Sequence, residues 1–270
     1  MRLPPPPPLP SEHGAWTMLA IPMVLGLFAG GFRSLPAWLI CGAVVLAFLA
    51  HYAIVPWAAR WRAGKASPPG YAPRRILWAA GYLAASGALF AAAVRAAEPE
   101  ARVEVLGIAG VASCLASIFA AACIRGSGRI LLAESLGLVG MSLTAPMMLR
   151  ATGQPLTPRL FGISAISLAY FFSSIAYVRA YGGLSADRAR SIGGCVLAHV
   201  AILLGLALAT TSGIVAAYAW AAMVPPIART AWGLASPPAT LRSVGMRELA
   251  VALAFTALAA AGILAALGAA

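Results

Sequence analysis

Charge is what this chain is short of. Only 10% of its 270 residues are Asp, Glu, Lys or Arg, while 61% are hydrophobic; a soluble domain carries about 25% charged residues. Such a composition cannot cover a water-facing surface, which excludes a soluble globular protein and predicts a multi-pass membrane protein with the lipid bilayer as its first partner. Acid is the scarcer sign, with seven Asp and Glu against nineteen Lys and Arg. In a membrane protein a basic excess belongs first to loops that face an anionic leaflet, so no nucleic-acid partner is expected. Cysteine is also sparse. Cys41, Cys114, Cys123 and Cys195 lie inside apolar runs without ligand-pair spacing, so they are packing residues and no disulfide framework is implied. A cleavable signal is missing too: Arg2 is followed by Pro4 to Pro8 and Pro10, a stiff extended segment where a signal has an unbroken apolar stretch. Eighteen arginines to one lysine, with abundant Ala and Gly, suggest a GC-rich bacterial genome and hence the bacterial cytoplasmic (inner) membrane.

What is present is apolar length. A spanning helix takes about 20 apolar residues, and nine runs reach that scale: 16–32, 36–57, 75–95, 104–124, 130–150, 160–178, 191–211, 214–234 and 248–268. The expected fold is therefore an all-α membrane protein with nine transmembrane helices, made of a proline-rich cytoplasmic tail over 1–15 and a polytopic domain over 16–270. The weakest break is "TSG" at 211–213, and eight spans is the alternative there. Summed over alternate sides, fourteen basic residues fall with the N-terminal tail and five on the opposite side. The positive-inside rule then places the N-terminus in the cytoplasm.

The charges also hint at an internal repeat. Glu12, Glu134 and Glu248 each lie near the start of a run; Arg60 and Arg179 follow the second and sixth; Arg125 and Arg229 fall late in the fourth and eighth. A four-helix unit repeated in parallel, helices one to four and five to eight, plus a ninth helix (4+4+1), produces this pattern. So does the plain tendency of charges to collect at helix ends. All three histidines fall in the same half. His13 stands at the first entry, while His51 and His199 lie about 12–13 Å deep at 1.5 Å per residue. Ionisable groups at such depth face the bundle interior or a watered cavity, because lipid exposure is costly. Glu12, His13, His51, Arg60, Arg125, Glu134, Arg179, Arg229 and Glu248 are therefore candidates for one polar cavity open to the cytoplasm. The bland reading of the three glutamates is helix capping, since free N–H groups carry partial positive charge.

No phosphate-binding glycine loop, zinc-protease helix or nucleophile elbow occurs in the sequence. A metal site from the histidines and a glutamate has no spacing signature, so no metal is assigned and the cofactor is left unspecified. The loop "RWRAGKASPPGYAPRR" at 60–75 is the densest basic segment. It suits anionic lipid, or arginines gripping a phosphate-bearing substrate.

The opening "SEHGAW" at 11–16, followed by an apolar helix with Pro22, resembles the YwiC-like family of bacterial membrane proteins, as do "YVRA" at 177–180 and "VGMREL" at 244–249. That likeness adds Trp16 and Tyr177 to the candidates and implies no assigned activity. The nine-helix plan with polar loops after helices two and six is similar to the UbiA-type intramembrane prenyltransferases. Those hold Mg²⁺-diphosphate through aspartate-rich motifs near such loops; here the first loop has no acid and the second only Asp187. Two functions follow as expectations: an intramembrane enzyme acting on a lipid or polyprenyl substrate, or a transporter or binder of a small anionic solute.

Overall fold

The computed structural model describes residues 8–10, 13–66, 70–128, 130–181, 188–238 and 240–268. Among them every regular element is a helix, and eight helices are long and apolar enough to cross a membrane. The run expected over 214–234 does form a helix, Tyr218–Ala235, but it is not one of the eight. Pro225, Pro226, Arg229 and Thr230 lower its hydropathy below that of its neighbours. The helices sort into two compact units, one holding Arg33–Gly153 and the other His13–Phe32 with Gln154–Ala270. The first helix thus groups with the C-terminal helices, so the compact units do not divide between helices four and five as the expected repeat does.

The first helix, α1, runs over His13–Gly26 and carries Pro22. Three residues of the expected tail, 13–15, belong to it. It ends in a wide turn, Leu27–Gly31, in which Gly30 takes φ 135°, a conformation open to glycine because it has no Cβ. With α1 in its unit are α7 (Gly162–Tyr181), α8 (Arg188–Thr211), α9 (Tyr218–Ala235) and α10 (Leu241–Gly268). Within this unit α7 is central, touching α1, α8, α9 and α10, while α9 pairs with α10. The start of α10 is fixed by a reciprocal cap: Ser243 N–H donates to Thr240 Oγ1 at 3.1 Å and Thr240 N–H to Ser243 Oγ at 3.2 Å, which satisfies two otherwise orphaned donors.

The other unit holds α2 (Leu35–Arg62), α3 (Tyr71–Ala96), α4 (Arg102–Ile124), α5 (Leu131–Ser142) and α6 (Thr144–Ala151). Ser34 caps α2 and Pro36 sits in its first turn, where a missing N–H costs nothing. Pro56, deep in α2, has no N–H for the carbonyl of Tyr52 four residues back. Arg75 of α3 supplies the donor instead, its Nη1 lying 2.8 Å from Tyr52 O and 3.3 Å from Ala53 O. The span expected over 130–150 is broken at Leu143 because Pro146 cannot donate to Ser142 O. Every residue of α6 is buried, packed by α2 and α4. Arg150 at its end pairs with Glu104 at the start of α4. Leu77, Val103, Leu197, Leu208 and Leu253 are all exposed, an apolar exterior that suits lipid.

Candidate functional site

Four helices of the α1/α7–α10 unit bring polar side chains to one buried point. Arg229 comes from the last part of α9 and is 2% exposed. Its Nη1 donates to Glu248 Oε1 of α10. Its Nη2 donates to Ser173 of α7, both to the carbonyl at 3.1 Å and to Oγ at 2.8 Å. The second carboxylate oxygen, Glu248 Oε2, accepts from the Ser174 hydroxyl. The ring of Tyr177 lies beneath the guanidinium, 4.4 Å from Cζ, where its π-face attracts a cation. Gly233 makes room for that ring: a Cβ there would stand 2.9 Å from Tyr177 Cε2.

The cluster continues into α8. His199, 6% exposed, has Nδ1 at 2.8 Å from the carbonyl of Cys195. A carbonyl only accepts, so Nδ1 carries the proton and Nε2 of the neutral ring accepts. The Ser173 hydroxyl, 2.8 Å from Nε2, donates there while its oxygen accepts from Arg229. Thr230 Oγ1 lies 2.9 Å from the same Nε2 and 3.1 Å from Pro226 O, and its single proton serves one or the other. The result is a continuous chain from Glu248 through Arg229 and Ser173 to His199.

Two polar atoms at this point remain over. Arg229 Nε and the Tyr177 hydroxyl are buried and have no hydrogen-bond partner among the described residues. An unmet buried donor costs about 1–3 kcal/mol.

Of the residues singled out in the sequence, Tyr177, Arg229 and Glu248 meet here. Arg179 lies in the last turn of α7, two residues beyond Tyr177. Trp16 is exposed near the start of α1. His51, Arg60, Arg125 and Glu134 belong to the other unit. There His51 stacks on Phe119 with ring centroids 5.6 Å apart. Arg60 Nη2 donates to Ala66 O at 2.7 Å, Arg125 caps the end of α4, and Glu134 is half-buried in the first turn of α5. Glu12 and Asp187 lie outside the described residues, as does the side chain of His13. His199 joins the site on the strength of its expected depth. Ser173, Ser174 and Thr230 are not marked by any charge or motif, although each stands in register with a candidate residue on its own helix.

Two cavities are prominent elsewhere. One of about 380 Å³ lies in the α1/α7–α10 unit between the start of α7 and the α8–α9 turn, with Arg159 and Tyr218 in its wall. The other, of about 300 Å³, lies in the α2–α6 unit between the ends of α2 and α4. Neither is lined by the Arg229–Glu248 cluster, in which the guanidinium is buried and the carboxylate nearly so. Among the described residues no group of three or more His, Cys, Asp or Glu is placed to hold a metal ion.

No curated protein matches this sequence, and no solved structure matches it. The family model for YwiC-like protein matches residues 9–149. It takes in all of "SEHGAW" and the helix that follows, but not "YVRA" or "VGMREL", nor any residue of the α7–α10 cluster. With just over half of its length inside that match, the chain belongs to the YwiC-like protein family.

Proposed function

We propose that this membrane protein binds a small anionic solute at Arg229 and carries it across the bacterial cytoplasmic membrane, with Glu248 as the counter-ion that yields to it. The observation that carries this reading is the sealed guanidinium with its unmet Nε–H beside the unmet Tyr177 hydroxyl. An oxyanion supplies acceptors for both donors. Ionisable groups kept inside a membrane bundle mark solute and proton paths, and an arginine fork suits carboxylate or phosphate oxygens. Without solute, Glu248 neutralises Arg229. When Glu248 takes up a proton, Arg229 loses its counter-ion and the anion replaces it, so proton and anion move together. Ser173, held between Arg229 and His199, keeps the guanidinium aimed.

The same reading uses nine spans with a cytoplasmic N-terminus. At 18 residues, α9 is about 27 Å long, close to a hydrocarbon core of about 30 Å. Trp220 and Trp232, near its two ends, are exposed, as aromatic residues at the two interfaces are. The basic asymmetry then puts the ends of α2, α4 and α7 on the cytoplasmic side. A parallel repeat is also supported, in a new phase. In one unit α2 pairs with α3 and α4 with α5; in the other α7 pairs with α8 and α9 with α10. Aligning α2–α5 with α7–α10 matches Arg60 with Arg179, Arg125 with Arg229 and Glu134 with Glu248, and leaves α1 outside.

The test is charge displacement in proteoliposomes adsorbed on a solid-supported membrane, after jumps of phosphate or of short carboxylates. The active anion should evoke a transient that Arg229→Gln abolishes. Glu248→Gln should keep the binding transient and lose its dependence on pH. Both variants are compared below their melting temperatures. An Arg229→Gln protein that responds like wild type refutes the reading, and mass spectrometry of small molecules co-purified with wild type identifies the solute.

A further inference from the structure

The α2–α6 unit carries a second feature that the Arg229 site does not use. The cavity of about 300 Å³ between the last turns of α2 and α4 is walled by Ala59, Ala63, Cys123 and Ile124, with Arg62 from α2 and Arg125 from the end of α4. Both arginines are exposed. Among the described residues neither guanidinium makes a hydrogen bond or ion pair, so ten N–H donors on two planar forks share one hollow with nothing to accept them. Their neighbourhood is basic as well. Arg60 turns back onto Ala66 O and lies over Tyr71 at 5.8 Å, and Arg75 faces the same ring at 4.9 Å.

Part of this charge has a local use. Each helix C-terminus presents about half a negative charge, and α2 and α4 both end here. Two termini therefore offset about one unit, while Arg62 and Arg125 bring two. That surplus of about one is met by the Glu134 carboxylate, close enough to act on Cys123 in the cavity wall, and Arg60 and Arg75 restore it. The height of the cavity is also fixed. Trp57 and Trp61 stack at 6.4 Å on the last turns of α2, and Trp61 is largely exposed. An exposed tryptophan at a helix end sits at the headgroup level of a bilayer, so this cavity opens where phosphates are.

We propose that Arg62 and Arg125 form a phosphate-binding site, separate from the Arg229 site, that takes the phosphate group of an anionic lipid headgroup or of a soluble phosphate. Each fork engages two oxygens of one phosphate, as arginine does and lysine does not. The flat walls of Ala59 and Ala63 admit the group close to the α2 backbone.

The experiment is native mass spectrometry of the full chain released from detergent, titrated in separate arms with phosphatidylglycerol, phosphatidylcholine and inorganic phosphate. The expected result is adduct formation with phosphatidylglycerol or inorganic phosphate, weakened about tenfold by Arg62→Gln or Arg125→Gln alone and lost in the double variant. Arg62→Lys with Arg125→Lys should keep intermediate affinity. Arg95→Gln, at the opposite end of α3, should change nothing. Loss in the phosphatidylglycerol arm alone assigns a lipid headgroup; loss in the phosphate arm assigns a soluble ligand. Because both side chains are exposed and bond to nothing among the described residues, the double variant should elute like wild type and melt only slightly lower, through the loss of the two helix-end charges. Equal binding by wild type and double variant in both arms, or adducts indifferent to headgroup charge, overturns the proposal.

Discussion

Replacing Glu248 with glutamine keeps its shape and removes its charge, which isolates the ion pair from everything else at the site. The Arg229 side chain is 1% exposed and that of Glu248 12%, so water cannot take over when the carboxylate is neutralised. Breaking a buried pair from one side costs about 3–5 kcal/mol, because a charge is left uncompensated. The structure contains its own control. Glu104, 37% exposed, pairs with Arg150, 11% exposed, so solvent screens the Glu104 side of that pair and its loss should cost less, about 1–3 kcal/mol. For a chain of this size one kcal/mol moves the melting temperature by roughly 2–4 °C. Glu248→Gln should therefore lower Tm by roughly 6–20 °C and Glu104→Gln by roughly 2–12 °C, the smaller of the two shifts. Intrinsic tryptophan fluorescence of the purified protein during a thermal ramp measures both. The joint replacement Arg229→Met with Glu248→Leu should recover most of the loss, since no buried charge is then unpaired. If Glu248→Gln melts with Glu104→Gln, the two pairs are equally screened and the Arg229 site is not sealed as described.

Ser173→Ala removes the group that both receives Arg229 and feeds His199 Nε2; a loss of about 1–3 kcal/mol is expected, and a Tm equal to wild type would show that neither contact matters. Gly233→Ala pushes a Cβ against the Tyr177 ring at 2.9 Å and Tyr181 at 3.1 Å, so it should lower Tm, whereas Gly245→Ala, with nothing within 4 Å, should not; the same thermal ramp decides. Arg75→Ala should cost about 1–3 kcal/mol because it strips Tyr52 O of its donor, and Pro56→Ala should relieve that cost by restoring the backbone N–H; a double-mutant cycle without coupling would separate the two features. Reporter fusions after Ala270 should read periplasmic and fusions within 62–66 cytoplasmic; a cytoplasmic C-terminus removes α9 as a span.

The helices are legible in the sequence because in a membrane chain length and apolarity are nearly the whole signal. What escapes such a reading is the break that proline imposes inside a run. The stretch over 130–150 is long and apolar enough to read as one span, yet Pro146 divides it into α5 and α6. In α9 the pair Pro225–Pro226 sits one turn before Arg229, so an apolar run that counts as a span on length carries less hydropathy than its neighbours. Grouping is beyond a charge pattern altogether. The matched charges align equally well whether the units begin at helix one or helix two, and only packing shows that α1 lies with α7 and α10.

The site is half legible, and the other half follows a rule that charge alone does not reveal. In α7 the polar-tipped residues Tyr170, Ser173, Ser174 and Tyr177 fall at i, i+3, i+4 and i+7, and all four are buried. In α9 Pro226, Arg229, Thr230 and Gly233 repeat the same spacing and are buried too. In α10 Glu248 shares a stripe with Val244, Ala252 and Phe255, each 2% exposed or less. A soluble helix turns its apolar stripe inward; these turn inward the stripe that lipid would reject, at the same helical period. Serine and threonine look neutral in an apolar run because each can bond back to its own helix, so a search for charged residues passes over them. A search for the polar stripe joins Ser173 and Ser174 to Tyr177, and Thr230 to Arg229, from residue spacing alone. It also passes over Glu134, whose helical neighbours Ile130, Leu131, Leu138 and Met141 form no such stripe, and places the centre at Arg229; Glu248, whose own stripe is apolar, joins it only through the packing of α10 on α9.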